Sequence, residues 1–223
     1  LQLRGEKRFS HGVSLNGSYT WAKTMDATSY LNDTDPTPEH VISSLDRPHR
    51  IAISGVWELP VGKGRPIGGG MSRWLDAIVG GWQYQAIWQL QSGPALGFGN
   101  IIFRGDIKNI PLPADQRSLY RWFNTDAGFE KNSARQLAWN IRTFPSALAG
   151  LRGPNDNYWD MSLTKGFRIR ESLRMQLRTQ WEGAMNHPLF SNPNMAPTNP
   201  LFGTISSTRG EARRIYVGAK LMF

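Results

Sequence analysis

Residue types that commonly catalyse reactions or bind metals are sparse in this sequence and poorly spaced. The 223 residues include no cysteine, which excludes disulfides, thiolate metal sites and a cysteine nucleophile. None of the four histidines has another histidine or a helical carboxylate at metal-ligand spacing. They are His11, His40, His49 and His187. The sequence therefore predicts no zinc site.

Two other segments carry residue types that occur in chemical sites. A run of acidic residues could offer oxygen ligands to Ca²⁺, but it lacks the Gly and Glu offsets of an EF-hand, and we interpret it as a solvated polar loop. The glycine-rich stretch 62–70 lacks the spacing of a phosphate-binding loop, and no GxSxG motif occurs. The acidic residues are Asp26, Asp33, Asp35 and Glu39. We expect neither an enzyme nor a bound cofactor.

The chain is basic, with 26 Lys and Arg against 17 Asp and Glu and a formal charge of +9. The basic residues are dispersed rather than gathered into a patch, so nucleic acid is not an expected partner. An excess of dispersed cations suits contact with an anionic surface or an acidic ligand.

Basic and aromatic side chains mix in the long segment 93–157. Aromatic faces suit sugars or apolar ligands, and arginine suits carboxylates. The alternative is that Trp122 and Phe123 pack this loop against its neighbours. The candidate ligand-loop residues are Arg104, Tyr120, Arg121, Trp122, Phe123, Arg135 and Trp139.

The elements that would position these residues are strands. Period-two alternation predicts seven of them, most 9–14 residues long, and long strands suit a bilayer better than an ordinary globular domain. Four runs alternate clearly and three more weakly. The clear runs are 13–21, 82–91, 173–182 and 214–223, and the weak runs are 1–9, 49–59 and 158–167.

Each strand has one apolar face with Trp and Tyr and one polar face. Such alternation fits either a soluble β-sandwich, which would be a binding or adhesion module, or an outer-membrane barrel with a polar lumen. The connections favour the barrel, because short turns alternate with long loops along the chain. The long connections would then be extracellular and the short ones periplasmic. A short helical turn is predicted at 72–79 in one periplasmic connection.

The last strand carries apolar residues at alternate positions and ends on an aromatic residue. This pattern is typical of the signal by which outer-membrane proteins are recognised for insertion. The residues concerned are Ile215, Val217, Ala219, Leu221 and Phe223.

Six segments, through their order and spacing along the chain, together resemble the C-terminal part of the barrel of TonB-dependent outer-membrane receptors, specifically the Oar-like group. Each segment alone is weakly specific. The segments are 3–24, 46–62, 80–94, 121–129, 152–167 and 211–223. The resemblance implies a 22-stranded barrel closed around a plug, which imports a ligand with energy from the TonB complex.

The chain departs from that pattern, since it contains no plug domain, no TonB box and only about seven of the strands. We therefore expect residues 1–223 to be an all-β, antiparallel transmembrane barrel segment with long extracellular loops, located in the bacterial outer membrane. The expected partners are outer-membrane lipid, lipopolysaccharide and the barrel assembly machinery. The TonB complex would be reached only through the missing N-terminal part.

Overall fold

A computed structural model describes residues 1–137, 139–210 and 212–223, so Glu211, which opens the last resembling segment, lies outside them. In chain order the strands are β1 (Gln2–Ser10), β2 (Val13–Trp21), β3 (Met25–Asp26), β4 (Val41–Ile42), β5 (His49–Glu58), β6 (Trp82–Gln91), β7 (Ala95–Leu96), β8 (Leu148–Arg152), β9 (Asp156–Arg168), β10 (Arg174–Glu182), β11 (Leu189–Phe190), β12 (Thr208–Arg209) and β13 (Arg214–Met222). The α-helix is α1 (Arg73–Val79), and single 3₁₀ turns span Ile107–Asn109, Ala114–Gln116 and Ser133–Arg135. No helix in these described ranges is both long and apolar enough to cross a membrane.

Seven long strands form one antiparallel sheet in the order β1-β2-β5-β6-β9-β10-β13. These are the seven strands predicted from alternation, with ends shifted by up to two residues. Each strand pairs with the next long strand along the chain, as in an up-and-down barrel wall. The sheet is open, with β1 and β13 at its edges.

The register keeps the two faces of the sheet distinct across every strand pair. Directly opposed residues lie on the same face, and apolar partners meet at most positions of one face, as Trp57 meets Tyr84 and Trp88 meets Trp159. The rings of Trp88 and Trp159 stack with centroids 5.3 Å apart. Polar partners share the other face, where Gln85 opposes Ser162. A shift by one residue would exchange the faces, so alternation of this kind excludes registers that differ by an odd number of residues.

One end of the sheet carries the shorter connections. The β1–β2 turn consists of His11 and Gly12, both at positive φ (52° and 79°), as a two-residue type I′ hairpin turn requires. Residues 169–173 join β9 to β10, and residues 59–81, which contain α1, join β5 to β6. The predicted helical turn is confirmed: the Ser72 hydroxyl accepts a hydrogen bond from the Leu75 amide at 3.3 Å.

The other end carries three long connections, residues 22–48, 92–155 and 183–213, which together we call the loop cap. These connections are folded rather than irregular. They contain the pairs β3–β4, β7–β8 and β11–β12 and a buried aromatic cluster. Its largest members are Phe98, Phe123, Phe129, Phe144 and Phe202. The hydrophobic core of the molecule therefore lies in the loop cap and not between sheets.

The soluble β-sandwich is not favoured by this architecture. Within the described ranges, the other sheets are two-stranded and lie in the loop cap, and none covers the apolar face of the long sheet. Val217 and Leu221 on that face are 79% and 52% exposed. The 22-stranded barrel implied by the resemblance is not seen either, because seven strands form an open sheet.

Candidate functional site

The polar face of the sheet is a shallow concave surface. A depression of about 250 Å³ lies across β2, β5, β6, β9 and β10. Charged and amide groups meet in it, including Asp160, Arg178 and Gln180. The Asp160 carboxylate also accepts a hydrogen bond from the Gly183 amide at 3.0 Å. Such a wet, mixed-charge surface suits a barrel lumen.

The loop cap contains a larger cleft of about 750 Å³ between connections 92–155 and 183–213. Its walls combine amide and hydroxyl side chains with apolar ones. The polar residues are Asn100, Ser133, Gln136, Asn194 and Thr198, and the larger apolar ones are Ile101, Met195 and Pro197. The cleft offers hydrogen bonds and apolar contact without a concentrated charge.

Side-chain hydrogen bonds within the loop cap hold this cleft in shape. The Gln136 side chain accepts from the Ile102 amide at 2.9 Å and donates to the Glu130 carbonyl at 2.6 Å. Asn194 accepts from the Ala196 amide at 2.9 Å. Both walls are therefore ordered before any ligand arrives, which lowers the entropic cost of binding.

A buried ion pair joins two of the three connections. Asp46 is fully buried, and the Arg152 guanidinium lies 2.8 Å from its carboxylate. Asp46 also accepts from the Thr24 amide at 2.6 Å. The Arg152 carbonyl in turn accepts from the Trp122 indole at 2.7 Å.

A second ion pair ties the third connection to the sheet. Arg209 pairs with Asp156, which is buried at the start of β9 and accepts from the Gln91 side chain at 2.7 Å. Neither pair was predicted from the sequence, because the partners lie 106 and 53 positions apart.

The structure places all of the candidate ligand-loop residues in the loop cap, but it does not bring them together at one site. None of them lines the 750 Å³ cleft. Tyr120 and Trp139 are 87% and 92% exposed. Arg104 forms an ion pair with Glu130 at 3.5 Å, and the exposed Arg135 ends a 3₁₀ turn beside the cleft residue Gln136.

Phe123 is fully buried and cannot meet a ligand at the surface. It contacts Phe202 with ring centroids 5.2 Å apart. Trp122 is half-buried against the aromatic cluster, and its indole donates a hydrogen bond to the Arg152 carbonyl. For these two residues the packing role, left open by the sequence, is the one observed.

Two groups in the loop cap have shifted pKa values. The Lys131 ammonium donates a hydrogen bond to Asp126 at 2.7 Å, and this bond and its charge lower the pKa of that carboxyl. Burial lowers the pKa of Arg142 and the charge of Glu39 opposes this effect. Arg142 nevertheless remains a cation, donates to the Phe98 carbonyl and lies 5.3 Å from the Phe144 ring centroid.

The acidic residues of 26–39 serve the loop cap in a way that the sequence did not reveal. Asp35 accepts from the Asn32 amide at 2.9 Å, and Glu39 accepts from the Ser146 amide at 2.9 Å. Within the described ranges, no three His, Asp or Glu side chains are grouped closely enough to hold a metal ion.

The predicted insertion signal lies on β13 and just beyond it. Ile215, Val217, Ala219 and Leu221 share the apolar face and oppose Trp181, Thr179, Leu177 and Met175 of β10. Phe223 is 96% exposed. The recognition role of this strand stays a prediction.

Comparison with known proteins identifies a family to which this chain is similar. Residues 1–216 match the family model described as an outer membrane beta barrel domain. No curated protein and no solved structure gives a significant match. Nearly the whole chain is matched, and its sheet has the two faces that such a wall requires. The chain therefore belongs to the outer membrane beta barrel domain family, and its place is the outer membrane.

Proposed function

We propose that this chain is part of the barrel of a TonB-dependent, Oar-like receptor, and that it contributes lumen wall and extracellular vestibule. The observation that carries the proposal is the folded loop cap. It surrounds a preformed cleft of about 750 Å³ at the end of the sheet that has the long connections. A barrel that served only as an anchor would not need an ordered cleft there.

The role proposed for the chain is passive. The polar face forms part of the lumen, the apolar face meets lipid, and the loop cap meets ligand and lipopolysaccharide. Exposed cations on the cap support contact with anionic lipopolysaccharide. They include Arg104, Lys108, Arg121 and Arg135. The proposal involves no catalytic step, no cofactor and no nucleic acid.

Closure of the barrel requires further strands. An open sheet in lipid leaves the outer backbone groups of β1 and β13 without partners, at several kcal/mol for each group. We propose that strands outside this chain pair with both edges, and that the plug and TonB box also lie outside it. The barrel assembly machinery would insert the complete product.

The experiment examines the native product in outer membranes isolated from the source cells. Peptides from residues 80–94 identify the product, and its intact mass is compared with the 25.1 kDa of this chain. Photo-cross-linking in the same cells then tests contact with TonB. We expect a product several times heavier than the chain and an adduct with TonB that disappears when TonB is deleted.

Two results would overturn the proposal. A heavier outer-membrane product that forms no adduct would be a barrel of another type. Recovery of the product from the soluble periplasm would also remove the membrane role of the apolar face.

A further inference from the structure

The helix α1 lies against the outward, apolar face of the sheet, at the end that has the short connections. Two side chains of that face donate hydrogen bonds to its backbone. The Trp82 indole donates to the Ile78 carbonyl at 3.0 Å, and the Lys165 ammonium donates to the Asp76 carbonyl at 3.3 Å. The helix is therefore fixed from β6 and β9.

Lys165 explains why a cover is needed here. It stands on the apolar face, where it opposes Trp82 and Leu177. Its ammonium lies 5.5 Å from the Trp82 ring centroid and 5.0 Å from that of Phe167. Lys165 is only 3% exposed. A cation on the lipid side of a barrel is unfavourable, and α1 together with the two rings screens this one.

The side of α1 turned away from the sheet is apolar and uncovered. Trp74 and Ile78 are 85% and 68% exposed, and Leu75 is 49% exposed. Trp74 and Ile78 are four residues apart and share one helix face. Arg73 points about 100° away from Trp74 around the helix axis. A strongly amphipathic helix beside a lipid-facing surface is typical of an interfacial segment.

We propose that α1 is an interfacial membrane helix, embedded at the boundary between headgroups and acyl chains in the periplasmic leaflet. This inference rests on the barrel orientation proposed above. The partner of the exposed helix face is phospholipid, because this face of α1 continues the apolar face of the sheet at Trp82 and Phe167. Tryptophan at such a boundary buries an apolar ring while its N–H reaches polar groups.

The charges around α1 complement anionic headgroups. Lys63 and Arg73 are exposed, whereas the single carboxylate of the helix, Asp76, is half-buried and accepts from the Lys63 amide at 2.6 Å. The free charges beside the apolar face are therefore positive, as on peripheral helices that bind anionic lipid.

These 223 residues contain no cysteine that would compete with an introduced one, and any cysteine elsewhere in the complete protein is replaced by serine. Single-cysteine variants Trp74→Cys and Ile78→Cys of the complete outer-membrane protein receive a nitroxide spin label. The protein is reconstituted in vesicles of phosphatidylethanolamine and phosphatidylglycerol. Collision with oxygen, which concentrates in lipid, is compared with collision with a water-soluble nickel chelate. Arg73→Cys is the matched control on the polar side of the same helix.

Labels at 74 and 78 are expected to have an oxygen-to-nickel accessibility ratio several-fold higher than the label at 73. Equal ratios at all three positions would place α1 in water and overturn the inference. Labels at 74 and 78 that neither reagent reaches would show a protein partner on this face, which would also overturn it.

A fourth variant, Ala86→Cys in the middle of β6, separates this inference from the proposed barrel. A lipid-exposed label at 86 with water-exposed labels at 74 and 78 would reject only the interfacial position of α1. A water-exposed label at 86 would reject the lipid-facing sheet itself.

Discussion

Asp46 and Arg152 illustrate how single polar residues hold the loop cap together. Both are supplied by connections that are distant in sequence, and Asp46 has no exposed surface. An ion pair of this kind contributes little net stability, but removing one partner leaves a buried charge uncompensated. By contrast, the pair between Lys131 and Asp126 is exposed, with 48% and 70% of the two side chains accessible.

We predict that Arg152→Ala disrupts the packing of connection 22–48 on the cap. The cost is about 3–5 kcal/mol, the usual penalty for breaking a buried pair. Hydrogen exchange at the Thr24 amide, which donates to Asp46, should accelerate strongly. Lys131→Ala is the control and should cost less than about 1 kcal/mol. Equal protection of Thr24 in both variants would contradict a structural role for the buried pair.

At the scale of elements, each long strand separates a lipid-facing side from a lumen-facing side. Neighbouring residues of β6 point to opposite faces, so Gln85 and Ala86 sample the two environments at the same depth. Ala86 opposes Gly55 and Met161, whereas Gln85 opposes Val56 and Ser162. Around Ala86 the apolar face therefore carries only small or apolar residues, at the depth where lipid tails would lie.

We expect Ala86→Arg to destabilise the assembled protein by about 2–4 kcal/mol, the cost of a cation on the lipid face at mid-depth. Gln85→Arg, one residue away on the polar face, should be nearly neutral. The free energy of unfolding of both variants of the complete protein is measured by urea titration in lipid vesicles. Heat-dependent gel mobility reports the folded fraction. If Gln85→Arg were the more damaging change, the two faces would have been assigned the wrong way round.

At the scale of the whole molecule, the loop cap is one unit assembled from three connections. Phe202 in connection 183–213 packs among phenylalanines of connection 92–155. Its ring centroid lies 5.0 Å from that of Phe129 and 5.2 Å from that of Phe123. Loss of one ring should therefore loosen both connections together.

Phe202→Ala should cost about 3–5 kcal/mol, the range for deleting a buried aromatic side chain. Hydrogen exchange should rise around Phe123 and Phe129 as well as near residue 202, while β6 and β9 keep their protection. The adjacent Leu201→Ala, at a side chain that is 50% exposed, is the matched control. Faster exchange confined to connection 183–213 would show that the connections fold separately.

The sequence by itself determined the long strands, their two faces and the order of long and short connections. These follow from alternation with a period of two, which is a local property of each strand. It also predicted the short helical turn at 72–79, for which the structure adds the cap: the Ser72 hydroxyl accepts from the nearby Leu75 amide.

Only the tertiary structure decided the arrangement of the loop cap and the site within it. Phe98, Phe129 and Phe202 have no periodic pattern, so their meeting in one cluster could not be predicted locally. The same holds for Asp46 with Arg152. It holds also for Lys165 beneath α1, where the charge on the apolar face is hydrogen-bonded to a carbonyl about 90 positions away. Contacts over such separations depend on how the chain closes its loops, and closure is set by the packing of the whole molecule.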